Sequence, residues 1–255
     1  MDIAAIIGSI MGVAFILVGQ AMEGGNIGQL LQITAAFIVL GGSAGAVVMS
    51  FPVNVMATAI ALLKDVFGSC EVNFDELIAE IIKFAQKARK EGIISLEKEI
   101  KSASDPLLIT GMEAVSDGID PVLVREMMEN QIAQFEAKIA GGAKFWESFG
   151  GYTPTLGIVG AVLGLIQVMQ NLNDPSKLGA GIAVAFVATI YGLIAANLFF
   201  IPFSSRIKFK YQKIFIKKEM IVEGVLAIQS GESPTLIERK LKSFLIDVKT
   251  TSEES

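Results

Sequence analysis

Residues 152–202 decide the fold, and they read YTPTLGIVGAVLGLIQVMQ (Tyr152–Gln170), NLNDPSK (Asn171–Lys177) and LGAGIAVAFVATIYGLIAANLFFIP (Leu178–Pro202). As an α-helix the first apolar segment is about 28 Å long and the second is longer, so each can cross a hydrocarbon core of roughly 30 Å. The only charged residues in this stretch are Asp174 and Lys177, and both lie in the polar turn. The stretch is therefore predicted to be a transmembrane helical hairpin.

Small residues recur on one face of each helix of this hairpin. Gly157, Gly160, Ala161 and Gly164 mark the first helix, and Gly181, Ala185, Ala188, Gly192 and Ala195 mark the second. Lipid supplies no hydrophobic force between helices, so close approach of backbones at small residues is a common way for them to associate. Two interpretations follow. The faces pack within one bundle, which the pattern alone favours, or they form a wall against the helix of a partner protein.

Composition narrows the class of protein. The chain has 255 residues, of which 52% are hydrophobic and 18% are charged, and the charges crowd into a few segments, as in polytopic membrane proteins. A single cysteine and no histidine exclude a disulfide framework and argue against zinc sites and histidine-based catalysis. No nucleophile elbow or Walker loop occurs. The net charge of −5 argues against a nucleic-acid partner. We therefore expect no enzyme, no cofactor and no metal site.

Two further apolar segments complete a set of four spans. They are Ile3–Val18, whose helix ends near Met22, and Leu30–Met49. Of the 21 lysines and arginines, ten lie in residues 64–144 and ten in residues 206–249. The positive-inside rule then places the middle region, the tail and both termini in the cytoplasm.

The expected fold class is an all-α membrane protein with four transmembrane helices. A large helical cytoplasmic region separates helices 2 and 3, and a helical cytoplasmic tail follows helix 4. The expected divisions are residues 1–52 (helices 1 and 2), 53–148 (cytoplasmic), 149–203 (the hairpin) and 204–255 (tail). Local signals for helix starts are a capping-box pattern at Asn73, Ser95 after Gly92, Asp120–Pro121 and Ser233–Pro234.

No Asp, Glu, Lys or Arg lies inside any of the four spans. Ion paths through lipid usually carry such a residue. Polar side chains such as Thr155 and Thr189 are explained by hydrogen bonds between helices. If ions pass, a partner must bring the titratable group.

Four strings in order resemble one family. They are ARKEGIISLE (residues 88–97), PTLGIVGAVLGLI (154–166), AVAFVATIYG (183–192) and GVLAIQSGESPTLIERKLKSFL (224–245). Together with the four-span layout they resemble the motility protein A (MotA) family, the stator subunits of the bacterial flagellar motor. The resemblance covers essentially the whole chain. The related ExbB and TolQ proteins share the two glycine-rich spans but have three spans, so an ExbB/TolQ-like energiser of an envelope-spanning partner is the alternative.

The resemblance implies a mechanism and a set of partners. Five MotA chains surround the helices of two MotB chains, and each MotB helix carries the aspartate that binds the ion. Ion passage drives rotation, and the cytoplasmic helices push on the rotor switch protein, all at the bacterial plasma membrane with its lipid around the ring. Spans three and four line the ring. This implies partner-helix packing at Gly157, Gly160, Gly164, Gly181, Ala185 and Gly192.

Individual residues acquire roles from the same resemblance. Arg89 and Glu97 match the charged pair that engages the rotor, although charges at two helix ends suit the helix dipole equally well. Pro154 and Pro202 match the conformational prolines at the inner ends of spans three and four, and their alternative role is to start and stop helices. Thr189 matches a threonine on the ion path. Ala161 and Thr155 are assigned to the same ion path.

The resemblance also predicts the ion. Sodium-driven members carry a threonine in span three within a GTLVGL-like string. Here Gly160–Leu165 reads GAVLGL, so Ala161 replaces the threonine hydroxyl. A buried cation is costly unless it is well coordinated, so we expect protons rather than sodium. A secondary transporter is a further alternative, but it would need inverted repeats or broken helices around a midplane site.

Overall fold

The computed structural model describes residues 2–69, 71–173 and 175–245, and of residues 175–177 it describes the backbone only. No strand occurs in those three ranges. In chain order the elements are α1 (Ile3–Met22), a 3₁₀ turn (Ile27–Leu30), α2 (Ile33–Ala36), a π-helical segment (Phe37–Gly41), α3 (Gly42–Ser50), α4 (Val53–Phe67), α5 (Phe74–Glu91), a 3₁₀ turn (Ile93–Leu96), α6 (Glu97–Ile100), α7 (Pro106–Ser116), α8 (Pro121–Gln170), α9 (Pro175–Ile194), a π-helical segment (Ala195–Phe200), α10 (Ile201–Gln229) and α11 (Pro234–Ser243).

Four helical stretches are long and apolar enough to cross a membrane. They are Ile3–Met22, Ile27–Ser50, part of Pro121–Gln170 and part of Leu178–Gln229. The predicted all-α membrane fold with four spans is confirmed. Span two differs in detail: its α-helix begins at Ile33, after the 3₁₀ turn and a short extended break.

The chain divides into two compact units. The first comprises Met1–Cys70 and Lys138–Lys210, and the second comprises Glu71–Ala137 and Tyr211–Ser255. The predicted division at residues 52, 148 and 203 concerns membrane boundaries and stays a prediction.

In the first unit, an ionic cluster joins the start of α1 and the end of α4 to α10. The carboxylate of Asp2, which also caps α1, pairs with Arg206 and with Lys210 (2.9 Å). These hydrogen bonds hold the pKa of the Asp2 carboxyl well below its usual range. The ammonium of Lys210 also donates to the carbonyl oxygens of Asp65 and Gly68, each at 2.6 Å. Lys210 therefore satisfies carbonyl groups that the C-terminus of α4 leaves without amide partners.

The second unit has its own apolar core. Its fully buried side chains come from α5, the 3₁₀ turn, α6, α7, α8, α10 and α11, and they include Ile81, Leu96, Ile100, Leu108, Met112, Met128, Met220, Ile221, Ile237 and Leu241. The starts predicted from Asp120 and Ser233 are confirmed, because their side chains accept from the amides of Val122 (2.9 Å) and Leu236 (3.3 Å).

Two local predictions in the second unit need correction. Asn73 accepts from the amide of Glu76 at 3.2 Å, which is one half of the predicted capping box. A helix was expected to start at Ser95, but a 3₁₀ turn occupies Ile93–Leu96 and α6 begins at Glu97. Gly92, with φ of +84°, lets the chain turn there, and the hydroxyl of Ser95 donates back to the Gly92 carbonyl at 2.7 Å.

Candidate functional site

The two helices of the hairpin meet along their small faces. A Cβ atom added to Gly164 would lie 2.8 Å from both the Ala185 nitrogen and the Gly181 oxygen, and one added to Gly192 would lie 2.5 Å from the Thr153 oxygen. Backbone atoms cannot move aside as a flexible side chain can. The buried small positions are Gly157, Gly160, Gly164, Gly181, Ala185 and Gly192.

These contacts show what the six small positions meet within the chain, and their packing against a partner helix stays a prediction. The space left by the missing side chains is occupied by the neighbouring helix of the same chain. Packing within one bundle, which the sequence pattern alone favoured, is the arrangement found.

Span two covers one side of the hairpin seam. Ala35 and Val39 are buried with Val187 and Ala188. A Cβ atom on Gly160 would lie 2.6 Å from the Ala188 Cβ and 3.4 Å from Ile38. The side of the seam that carries Gly160 and Ala188 is therefore the covered one.

The other side of the seam carries two of the three predicted ion-path residues. An α-helix turns about 100° per residue, so Ala161 lies roughly 50° from the seam around span three and Thr189 lies roughly 60° from it around span four. Both residues are displaced towards the side that faces away from span two. Both are half-buried, and the Thr189 hydroxyl donates to the Ala185 carbonyl at 3.2 Å. Pro154 lies on the same side. We call the side that carries Pro154, Ala161 and Thr189 the open flank.

Thr155 lies elsewhere. It is turned roughly 120° from Ala161 around span three, and it is exposed. Its hydroxyl donates to the carbonyl of Tyr152 at 2.8 Å. The structure thus places Ala161 and Thr189 on the same side of the seam and Thr155 on another face of span three.

Both predicted conformational prolines lie inside continuous helices. Pro154 is internal to α8, and its missing N–H leaves the Gly150 carbonyl without its usual donor. The buried hydroxyl of Thr153 donates to that carbonyl at 3.4 Å. Pro202 is the second residue of α10, directly after the π-helical segment. Neither proline starts or stops the helical run of its span, because local hydrogen bonding adapts around each of them.

Arg89 and Glu97 flank the turn at Gly92 in the second unit. Arg89 lies in the last turn of α5 and Glu97 is the first residue of α6, and both are exposed. Within the described ranges neither forms an ion pair. The nearby Lys87 pairs instead with Glu99, at 2.5 Å, and the hydrogen bond to Lys87 lowers the pKa of the Glu99 carboxyl.

Comparison with known proteins identifies the family. Residues 99–220 match the MotA/TolQ/ExbB proton channel family, and residues 6–92 match the motility protein A N-terminal family. Motility protein A of Helicobacter pylori is 34% identical over 245 residues, which cover 96% of this chain and 95% of that protein.

Solved structures agree with the sequence comparison. The structure of C. jejuni MotAB matches with a TM-score of 0.90 and 33% identity, covering 96% of each chain. The flagellar MotAB stator complex from Bacillus subtilis matches with a TM-score of 0.88 and 30% identity over the full length of both chains. The chain therefore belongs to the MotA/TolQ/ExbB proton channel family, and within it is a stator subunit of the flagellar motor rather than an enzyme.

Proposed function

We propose that several copies of this chain, five as the family implies, form a ring around a MotB-like partner that supplies the ion-binding aspartate. The absence of charged residues inside the four spans supports this division of labour, because an ion in lipid needs a titratable or coordinating group. The solved relatives are MotAB complexes, which is consistent with such a partner.

The open flank is the surface proposed to line the ion path. The observation that carries this assignment is geometric: Ala161 and Thr189 share the one side of the hairpin seam that span two leaves uncovered. A partner helix beside this flank would bring its carboxylate next to the Thr189 hydroxyl. Thr155 would then act further along the path, off the flank.

Reconstitution tests the division of labour. Proteoliposomes that contain this chain alone should stay tight to protons and sodium, whereas vesicles that contain the chain with its partner should pass ions. A leak through the chain alone, unaffected by the partner, would show that the chain carries its own ion site.

Protons are the proposed ion. Ala161 offers no hydroxyl where sodium-driven members of the family have one, and a bare cation needs several oxygen ligands. Swimming should persist when potassium replaces sodium in the medium and should stop with a protonophore. Swimming that follows sodium and ignores the protonophore contradicts this choice.

Arg89 and Glu97 are proposed to contact the rotor switch protein, with both termini of the chain in the cytoplasm. Both side chains are exposed and form no ion pair with another described residue, which supports this role. The exposed apolar side chains of α1, among them Ile7 and Phe15, are proposed to face membrane lipid. A rotor contact is also what separates this function from that of an ExbB/TolQ-like energiser.

A further inference from the structure

A cleft of about 870 Å³, lined by both charged and apolar groups, lies between α8 and α10 in the first unit. Among the residues that line it are Lys144, Glu147, Tyr152, Thr155, Ser204 and Lys208. The ammonium groups of Lys144 and Lys208 donate to the two carboxylate oxygens of Glu147, at 2.8 Å and 2.7 Å. The cleft thus holds two positive charges and one negative charge, for a net charge of +1.

The cleft borders the open flank at Glu147 and extends from there around α8 to Thr155, which lies off that flank. Glu147 lies seven residues before Pro154, which is about two helical turns, so the two residues lie on the same face of α8. Thr155, which lines the cleft, follows Pro154 directly. An ion that passes Ala161 and Thr189 along the flank therefore reaches the cleft next, at the end of span three that the positive-inside rule assigns to the cytoplasm.

Two groups indicate that the cleft holds water and a fixed negative charge. The Ser204 side chain is 2% exposed, and its hydroxyl has no hydrogen-bond partner among the described residues. Buried hydroxyl groups are nearly always hydrogen-bonded, so water in the cleft is the fitting partner. Hydrogen bonds from Lys144 and Lys208 lower the pKa of Glu147 to about 2, which keeps its carboxylate ionised at neutral pH.

We propose that this cleft is the water-filled inner mouth of the ion path, in which the Glu147 carboxylate offsets two ammonium groups that would otherwise repel the departing cation. This inference rests on the proposed function and adds the residues that control ion exit. It assigns Glu147 an electrostatic role only, because a carboxylate with so low a pKa is a poor acceptor for the transported proton.

Charge-neutral variants in motile cells test the proposal. Glu147→Gln raises the net charge of the cleft to +2, and the double variant Glu147→Gln/Lys208→Gln returns it to +1. The speed of a lightly loaded motor follows ion flux, whereas torque near stall follows the free energy of the ion gradient. We expect Glu147→Gln to slow lightly loaded rotation about three- to tenfold, with stall torque per stator unchanged, and the double variant to recover most of the speed.

Glu238→Gln is the matched control, because it breaks an ion pair with Lys242 (2.6 Å) on α11, and neither residue lines the cleft. It should rotate like the parent. If neither the parent nor this control drives rotation, the proposed function fails, and the role of the cleft fails with it.

Three other results would overturn the proposed role of the cleft and leave the proposed function of the chain standing. The first is normal lightly loaded speed in Glu147→Gln. The second is an equal loss of lightly loaded speed in Lys208→Gln and Glu147→Gln, which would mean that the ion pairs only hold α8 against α10. The third is a loss of lightly loaded speed in Lys144→Gln and in Lys208→Gln but not in Glu147→Gln, which would indicate that the cleft binds an anionic lipid headgroup.

Discussion

At the scale of single residues, Thr153 explains how α8 continues through a proline. Its hydroxyl reaches the carbonyl that Pro154 leaves without an amide donor. The bond is long, at 3.4 Å, and so contributes modestly. The hydrogen bond matters because, in lipid, no water molecule can replace the missing amide donor.

We expect Thr153→Val, which keeps the shape of the side chain, to lower the free energy of unfolding in detergent by about 1 kcal/mol. Thr155→Val is the control, because the Tyr152 carbonyl that Thr155 contacts can keep its helical amide donor. Equal losses in the two variants, measured by thermal melts, would contradict this explanation.

The carboxyl of Asp105 is expected to make the stability of the fold depend on pH. Burial raises the pKa of its carboxyl, but bonds from Lys217 (2.8 Å) and from the Leu107 amide (3.0 Å), with the nearby charge of Lys218, outweigh burial and lower it overall. A carboxyl whose pKa is lower in the folded state stabilises the fold above its unfolded pKa of about 3.9, and this stabilisation is lost as pH falls through the folded value.

Asp105→Asn can still cap α7, but it loses the ion pairs. We expect it to cost roughly 1–3 kcal/mol at pH 7, and the difference from the parent should shrink as pH falls below about 4. The exposed Glu113→Gln on the same helix serves as the control. A difference from the parent that does not change between pH 7 and pH 3 would rule out the ionic contribution.

At the scale of elements, the hairpin seam depends on backbone contact. We expect Gly192→Ala to destabilise the protein by about 2 kcal/mol or more, since its Cβ would lie 2.5 Å from the Thr153 oxygen. Gly45→Ala meets nothing within 4 Å, so it should be neutral or gain up to about 1 kcal/mol from helix propensity. Thermal unfolding in detergent compares the two, and a neutral Gly192→Ala would mean that the helices can separate there.

Sequence predicts some elements better than others for a physical reason. The four spans follow from long apolar runs, and the starts at Asp120 and Ser233 follow from caps, which are local properties. The passage of α8 through Pro154 depends on Thr153, and the seam depends on which helix meets the small faces. Such choices belong to tertiary structure. The sequence pattern therefore left open which helix meets the small faces, whereas the placing of Ala161 and Thr189 on one side follows once the seam is known.

At the scale of the whole molecule, function requires that an event in the membrane reach the rotor. Arg89 and Glu97 are the proposed contact. Arg89→Glu or Glu97→Arg should lower swimming speed several-fold and leave accumulation in the membrane unchanged, because both side chains are exposed and unpaired among the described residues. Arg239→Glu, an exposed reversal on α11, is the control.

Rescue by a reversed charge on the rotor would support an electrostatic contact. Loss of the protein from the membrane in either single variant would instead favour a role at the helix ends.

The π-helical segment Ala195–Phe200 has a consequence for how relatives are aligned. Its bonds join residues five apart, as in the bond from the Ile201 amide to the Ala196 carbonyl, so it holds about one residue more than an α-helix of the same hydrogen-bond count. The segment winds this additional residue into nearly the same rotation, so residues after it keep the faces that they would have in a regular α-helix one residue shorter. A helical wheel drawn through span four therefore misplaces Pro202 by about 100°, and a relative with a one-residue gap at this point and regular α-helical winding would present the same face after it.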